Sequence, residues 1–260
     1  MFPLTPQRGI ALCAALIAPL TGTPSAQACS AQSGATQTAL VELYTSEGCS
    51  SCPPADRWLS ALQAQQGGGV SLAFHVDYWD YLGWRDRFAA PRYSQRQRDQ
   101  VAAAGSRLVY TPQVMLNGRD FRAWSDAISF ASTIATQQMR PAAARIQLEL
   151  VAAGNGRWTL RLDAASPKPR PGLQAHLALY ENGLTSSVAA GENRGERLKH
   201  DRVVRDWIGP LALDANGRLH TERPLTPGKD VDLRHAGIVA FIQDGKNGEV
   251  LQALDLPFCN

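Results

Sequence analysis

The chain has 260 residues, 44 % of them apolar, and 26 basic residues against 23 acidic ones give a formal net charge of +3. No basic run occurs, and neither residues 29–140 nor residues 141–260 depart from neutrality by more than one charge. That distribution argues against nucleic acid or an anionic membrane surface as a partner.

At the N-terminus, Arg8 precedes a short apolar run, IALCAALIA, and the segment TPSAQA ends in Ala26-Gln27-Ala28. Charge, apolar core and small residues in this order form a secretory signal peptide. Residues 1–28 are therefore expected to be removed, and the mature protein to be periplasmic or secreted. The run is shorter than the roughly 20 residues needed to cross a bilayer, and no later segment is long and apolar enough, so no membrane span is expected. Cleavage would leave Cys29 first. AQAC lacks the large aliphatic residue expected three positions before a lipid-modified cysteine, so a lipid anchor at Cys29 is not expected.

Export places Cys29, Cys49, Cys52 and Cys259 in an oxidising compartment, where disulfides persist. Four cysteines can pair in three ways. The simplest joins Cys49 to Cys52 and Cys29 to Cys259, the second pair being a structural tie between the chain ends.

ALVELYT (39–45) reads as a buried strand. CPPADRWLSALQAQ (52–65) reads as a helix with Pro53 and Pro54 in its first turn, where a missing N–H costs nothing; Gly67, Gly68 and Gly69 end it. VSLAFHVDYW (70–79) is the next strand, followed by a polar helix rich in Arg and Gln from about Phe88 to Ala104. QVMLNGRD (113–120) is a strand with an Asn-Gly turn, and AWSDAISFASTIATQQM (123–139) is a helix. Beyond Arg140-Pro141 the pattern changes to short, often alternating strands: ARIQLELV, RWTLRLD, LQAHLALYE, AGIVAFIQD and EVLQALDL, punctuated by Asn-Gly pairs. These predict an antiparallel sheet or sandwich over residues 141–260, packed on the domain at 29–140. The alternating charges of GENRGERLKHDRVVRDW read as a solvated edge or loop, or as a docking surface for the first domain.

A C-x-x-C between a strand and a helix places the first sulfur at unpaired N–H groups and the positive end of the helix dipole. Both favour a thiolate, which makes Cys49 the candidate nucleophile and Cys52 the resolving thiol. Two features oppose this: Pro53 and Pro54 remove donors, and Glu47 brings a negative charge close. Pro112 directly precedes a strand about 60 residues later. At this point the chain resembles the thioredoxin fold. The resemblance implies a cis Thr111–Pro112 bond facing the cysteines, a Thr111 main chain that pairs with an extended substrate, and an acid, Glu42, that relays protons below Cys52. Glu42 reads equally as a solvent-facing strand residue, and the chain has one extra residue between it and Cys49. Tyr78 and Trp79, at the end of a strand, are candidates for a rim that grips a client chain, or for packing. His75 reads as a satisfied core residue.

The longer stretches LYTSEGCSSCPPAD, FHVDYWDYLGWRD, RQRDQ and VYTPQVMLNGRD, with LYENGLTSSVAAGENRGERLKHDRVVRDW in the second half, resemble an exported bacterial family with a thioredoxin-like domain, catalogued as domain of unknown function 1223. The expected fold class is therefore α/β: a thioredoxin-like domain followed by a β-rich region. The leading functional expectation is an envelope thiol–disulfide oxidoreductase acting on protein or peptide clients through Cys49, Cys52, Pro112 and Glu42, without a cofactor. One alternative is a non-enzymatic binding module with a structural C-x-x-C disulfide. A further one is a copper(I) site of two thiolates, with His75 as a possible third ligand; soft thiolates suit that ion, but no Met-rich or Cys/His-rich tract supports it.

Overall fold

The computed structural model describes residue 1, residues 28–63 and residues 68–259. The expected signal peptide at residues 1–28 and the expected helix end at Gly67 fall largely outside these residues. In chain order the strands and helices are β1 (Ala28–Gln32), β2 (Leu40–Thr45), α1 (Pro53–Gln63), β3 (Val70–His75), α2 (Pro91–Ala103), β4 (Gln113–Leu116), β5 (Arg119–Asp120), α3 (Ala127–Gln138), β6 (Arg145–Gly154), β7 (Arg157–Ala165), β8 (Leu173–Glu181), β9 (Leu184–Ser187), β10 (Arg197–His200), β11 (Val203–Ala212), β12 (Arg218–Leu225), β13 (Ala236–Asp244) and β14 (Val250–Pro257).

Eight strands form one mixed sheet in the order β14-β13-β8-β11-β3-β2-β4-β5. β2 and β3 are parallel and apolar along most of their length, as strands covered on both faces must be, and every residue of both is buried. The sheet draws strands from both sides of residue 140, and β11 joins β3 through a parallel pairing of Val203 with Ala73. A second, antiparallel sheet, β1-β6-β7-β12, packs on one face of the first. Leu148, Leu150, Leu160 and Leu162 from the small sheet meet Leu177, Ile238, Ala240 and Ile242 from the large one. The outward-facing alternation of β6 and β7 follows from this one-sided burial.

The expected α/β thioredoxin-like fold with a following β-rich region is therefore corrected. Among the described residues strand outweighs helix, 42 % to 18 %, and only three α-helices occur. The alternating strands of the second half have apolar faces that need cover. They obtain it by extending the central sheet and by stacking a second sheet on it, and the result is a mostly β molecule.

The helices cover what remains. On one face α1 and α3 bury Leu59, Leu62, Phe130 and Ile134 against Val41, Leu43 and Val114. On the other face lies α2, which docks largely through polar side chains. Gln97 donates to the carbonyl of Tyr110 at 2.8 Å, and Gln100 donates to the carbonyls of Gly118 and Gly248 at 2.9 and 2.8 Å. Arg96 bonds Glu42 at 2.7 Å and lies over the rings of Trp207 and Phe241. Its richness in Arg and Gln thus serves buried hydrogen bonding; such groups are tolerated inside a protein only when partnered.

Candidate functional site

The segment from Thr45 to Cys52 leaves β2 and turns into α1. Backbone bonds hold the turn: Cys49 N–H donates to Ser46 O at 3.2 Å, Cys52 N–H to Cys49 O at 3.1 Å, and Ala55 N–H to Cys52 O at 2.9 Å. Cys49 and Cys52 are joined in a disulfide, and so are Cys29 and Cys259. The sulfur of Cys29 is thereby committed.

Ser50 and Ser51 are exposed, but Cys49 and Cys52 both have 0 % accessible surface. Three groups close over them. The Thr111 hydroxyl donates to Cys49 Sγ at 3.3 Å and accepts from Trp79 Nε1 at 2.7 Å. Trp79 also packs over Gly48, where an added Cβ would stand 3.0 Å from Trp79 Cβ. Asn193 donates from Nδ2 to the carbonyls of Glu47 and Cys49, at 2.8 and 3.0 Å. Glu192 accepts from Ser50 N–H at 2.9 Å. Asn193 and Glu192 belong to the loop between β9 and β10, which lies across the turn as a strap.

Beneath the turn lies a buried nest of acids and imidazoles. His75 Nδ1 is 2.6 Å from Asp86 Oδ2, and the same carboxylate oxygen accepts from Glu47 N–H at 2.9 Å. Glu47 accepts from Trp84 Nε1 at 2.7 Å, and its other oxygen is 3.3 Å from His200 Nε2. The rings of His75 and His200 meet edge to face at 4.9 Å. Burial works against a charged His75, but the attraction of Asp86 outweighs it and raises the imidazole above its ordinary value. Burial likewise opposes ionisation of Asp86 and Glu47, but His75 and His200 respectively bring both carboxyls below the usual range. Asp56, also buried here, is pushed up by that burial.

The residues singled out in the sequence are therefore only partly brought together. Cys49, Cys52, Thr111, Pro112 and Trp79 share one place, and the Thr111–Pro112 bond is cis. Tyr78 turns aside and donates to Gln97 at 3.2 Å. Glu42 lies on the opposite face of the sheet from α1, paired with Arg96, so it does not sit below Cys52. His75 is held by Asp86. Among the described residues no group of three or more His, Cys, Asp or Glu side chains is arranged to hold a metal ion. Glu192, Asn193, His200 and Asp86 went unrecognised in the sequence as parts of this site.

A family model described as "Protein of unknown function (DUF1223)" matches residues 40–243, a span that contains the turn, its strap and the nest. The chain belongs to the DUF1223 family. No curated protein matches it. Among solved structures, this DUF1223 protein is similar to an X-ray structure of a protein from Agrobacterium tumefaciens, at 26 % identity and a TM-score of 0.62, over 85 % of this chain and 94 % of that one. It also resembles HBP35 of Porphyromonas gingivalis in fold, at 16 % identity and a TM-score of 0.63, over 87 % of this chain and 76 % of that one.

Proposed function

We propose that this protein is an exported, non-enzymatic binding module in which Cys49–Cys52 is a structural crosslink. One observation carries the reading: both sulfurs are wholly buried beneath Thr111, Trp79 and the Asn193 strap. Thiol–disulfide exchange needs in-line access of an attacking thiolate to a sulfur, and no such path is open. The disulfide instead fixes the turn on which the strap rests. A second disulfide tying the chain ends together fits an oxidising compartment, as does the leader pattern of residues 1–28. Among the described residues no helix is long and apolar enough to cross a membrane.

Disulfide exchange is a second reading, favoured by the contact of the Thr111 hydroxyl with Cys49 Sγ. In it Cys49 would carry the mixed disulfide, Cys52 would resolve it, and the strap would first have to leave. A trapping experiment separates the two. Cys52→Ser, expressed in the envelope, is expected to capture no mixed disulfide with other proteins, and the purified protein to leave insulin unreduced in the presence of glutathione. Captured clients that disappear in Cys49→Ser/Cys52→Ser would establish exchange and end the structural reading.

A further inference from the structure

A cleft of about 450 Å³ opens beside the Cys49–Cys52 turn, between the start of α1 and β10 with the strap that precedes it. Arg57 of α1, with Arg194, Arg197 and Lys199 from the strap and β10, lines it. All four side chains are exposed, and among the described residues none is paired with an acid. The acids of the cleft do not balance them. Asp56 is buried against His200, Glu192 is engaged on Ser50, and only Glu196 is exposed without an assigned partner.

One carboxylate already lies in the cleft, that of Glu192. Its carboxylate sits on Ser50 N–H while the next residue, Asn193, bonds the main-chain carbonyls of Glu47 and Cys49. One carboxylate and the amide beside it thus hold the main chain of the turn, as side chains of a bound peptide would. The Ser50 hydroxyl and N–H also hold the Glu192 carboxyl below its usual range. Clusters of arginine are a recurring means of recognising acidic motifs.

We propose that this cleft docks an acidic, carboxylate-bearing segment of a protein partner, and that Glu192 occupies part of it until the partner displaces it. The inference rests on the binding-module reading and names the partner's chemistry. Exchange of one carboxylate for another at Ser50 gains nothing by itself, so the gain comes from the four unpaired cations. Attractions between exposed charges are individually weak and screened by salt. The partner must therefore carry several acids, and its affinity must fall as salt rises.

The probe is a fluorescently labelled octaglutamate, with a Gly-Ser peptide of equal length as control, measured by anisotropy on the full oxidised chain. Octaglutamate is expected to bind at low salt and to weaken toward physiological salt. The exposed double variant Arg57→Glu/Arg197→Glu should lose about tenfold or more in affinity, as rim charges of matched sign do. Glu192→Gln should bind about threefold more tightly. Thermal melts by circular dichroism establish that both variants are folded. Octaglutamate binding no tighter than the control, or unchanged affinity in the double variant, overturns the proposal. Unchanged affinity in Glu192→Gln overturns the displacement. If the peptide fails while Cys49–Cys52 remains closed to trapping, only the acidic-partner inference falls. Trapped clients would instead overturn the reading beneath it, whatever the peptide does.

Discussion

Cys29–Cys259 closes a sequence separation of 230 residues beside an apolar layer, whereas Cys49–Cys52 spans 3 residues above a nest of acids and imidazoles. At the first, β1 pairs with β6, Trp158 and Phe258 meet edge to face at 5.0 Å, and Leu150 and Leu160 fill the space between the sheets. At the second, nearly every contact is polar: Asn193 on two carbonyls, Glu192 on Ser50, and His75 on Asp86. A crosslink stabilises mainly by removing freedom from the unfolded chain, and the chain-entropy relation gives about 5 kcal/mol for the wide loop and about 2 kcal/mol for the narrow one. The wide disulfide holds the fold together. The narrow one has less entropy to remove, so its value lies in the local shape of the turn that the strap covers.

The comparison breaks first at the disulfides themselves. Cys29→Ala/Cys259→Ala should lose about 2–5 kcal/mol in urea unfolding, and Cys49→Ala/Cys52→Ala about 2 kcal/mol or less; the reverse order would refute the division of roles. The strap comes next. Asn193→Ala leaves the buried carbonyl of Glu47 unpaired and takes one of two donors from that of Cys49, an expected cost of about 1–3 kcal/mol. The same variant should speed reduction of Cys49–Cys52 in the folded protein and leave Cys29–Cys259 unaffected.

The nest adds a pH dependence that the apolar layer does not share. His75 is raised above 6.5, so its contribution is complete below that value and is lost as pH rises through its raised pKa. Asp86 is lowered below 3.8, so its contribution is present above that value and is lost as pH falls through its lowered pKa. Melting temperatures should therefore show an alkaline decline that His75→Gln reduces; an identical decline in the variant would contradict the pairing. The smallest expected effect is Trp79→Phe, which removes the bond to Thr111 and should cost about 1 kcal/mol by urea unfolding.

Much of the local structure is legible in the residues. The apolar runs of β2 and β3, the prolines that open α1, and the Asn-Gly turn between β4 and β5 all act through near neighbours, and the elements fall where those signals put them. The joining of the sheets does not show. It depends on pairings such as Val203 with Ala73, between segments far apart in the chain that carry no mark of each other. The stretch from Gly191 to Trp207 reads as a solvated edge or as a docking surface for residues 29–140, and its charges alone do not decide between them, for a related reason. Its alternating charges look solvated, yet Asn193 and His200 are buried, and Arg202 is 1 % exposed, bonded to Asp255 at 2.8 Å and lying over the Tyr180 ring. Each finds its partner from another element, which charge patterning along one segment cannot show. Glu42 is similar: its burial could be suspected from the strand, but its face is decided by Arg96 on a helix that the strand does not specify.

The most direct test is native-state reduction of the two disulfides by glutathione, followed by alkylation and mass spectrometry. Closed sulfurs predict that Cys49–Cys52 opens only as fast as the strap or the whole molecule opens, at a rate that stops rising with glutathione concentration. Rapid reduction of Cys49–Cys52 in proportion to glutathione, with Cys29–Cys259 intact and the protein folded, would contradict the account.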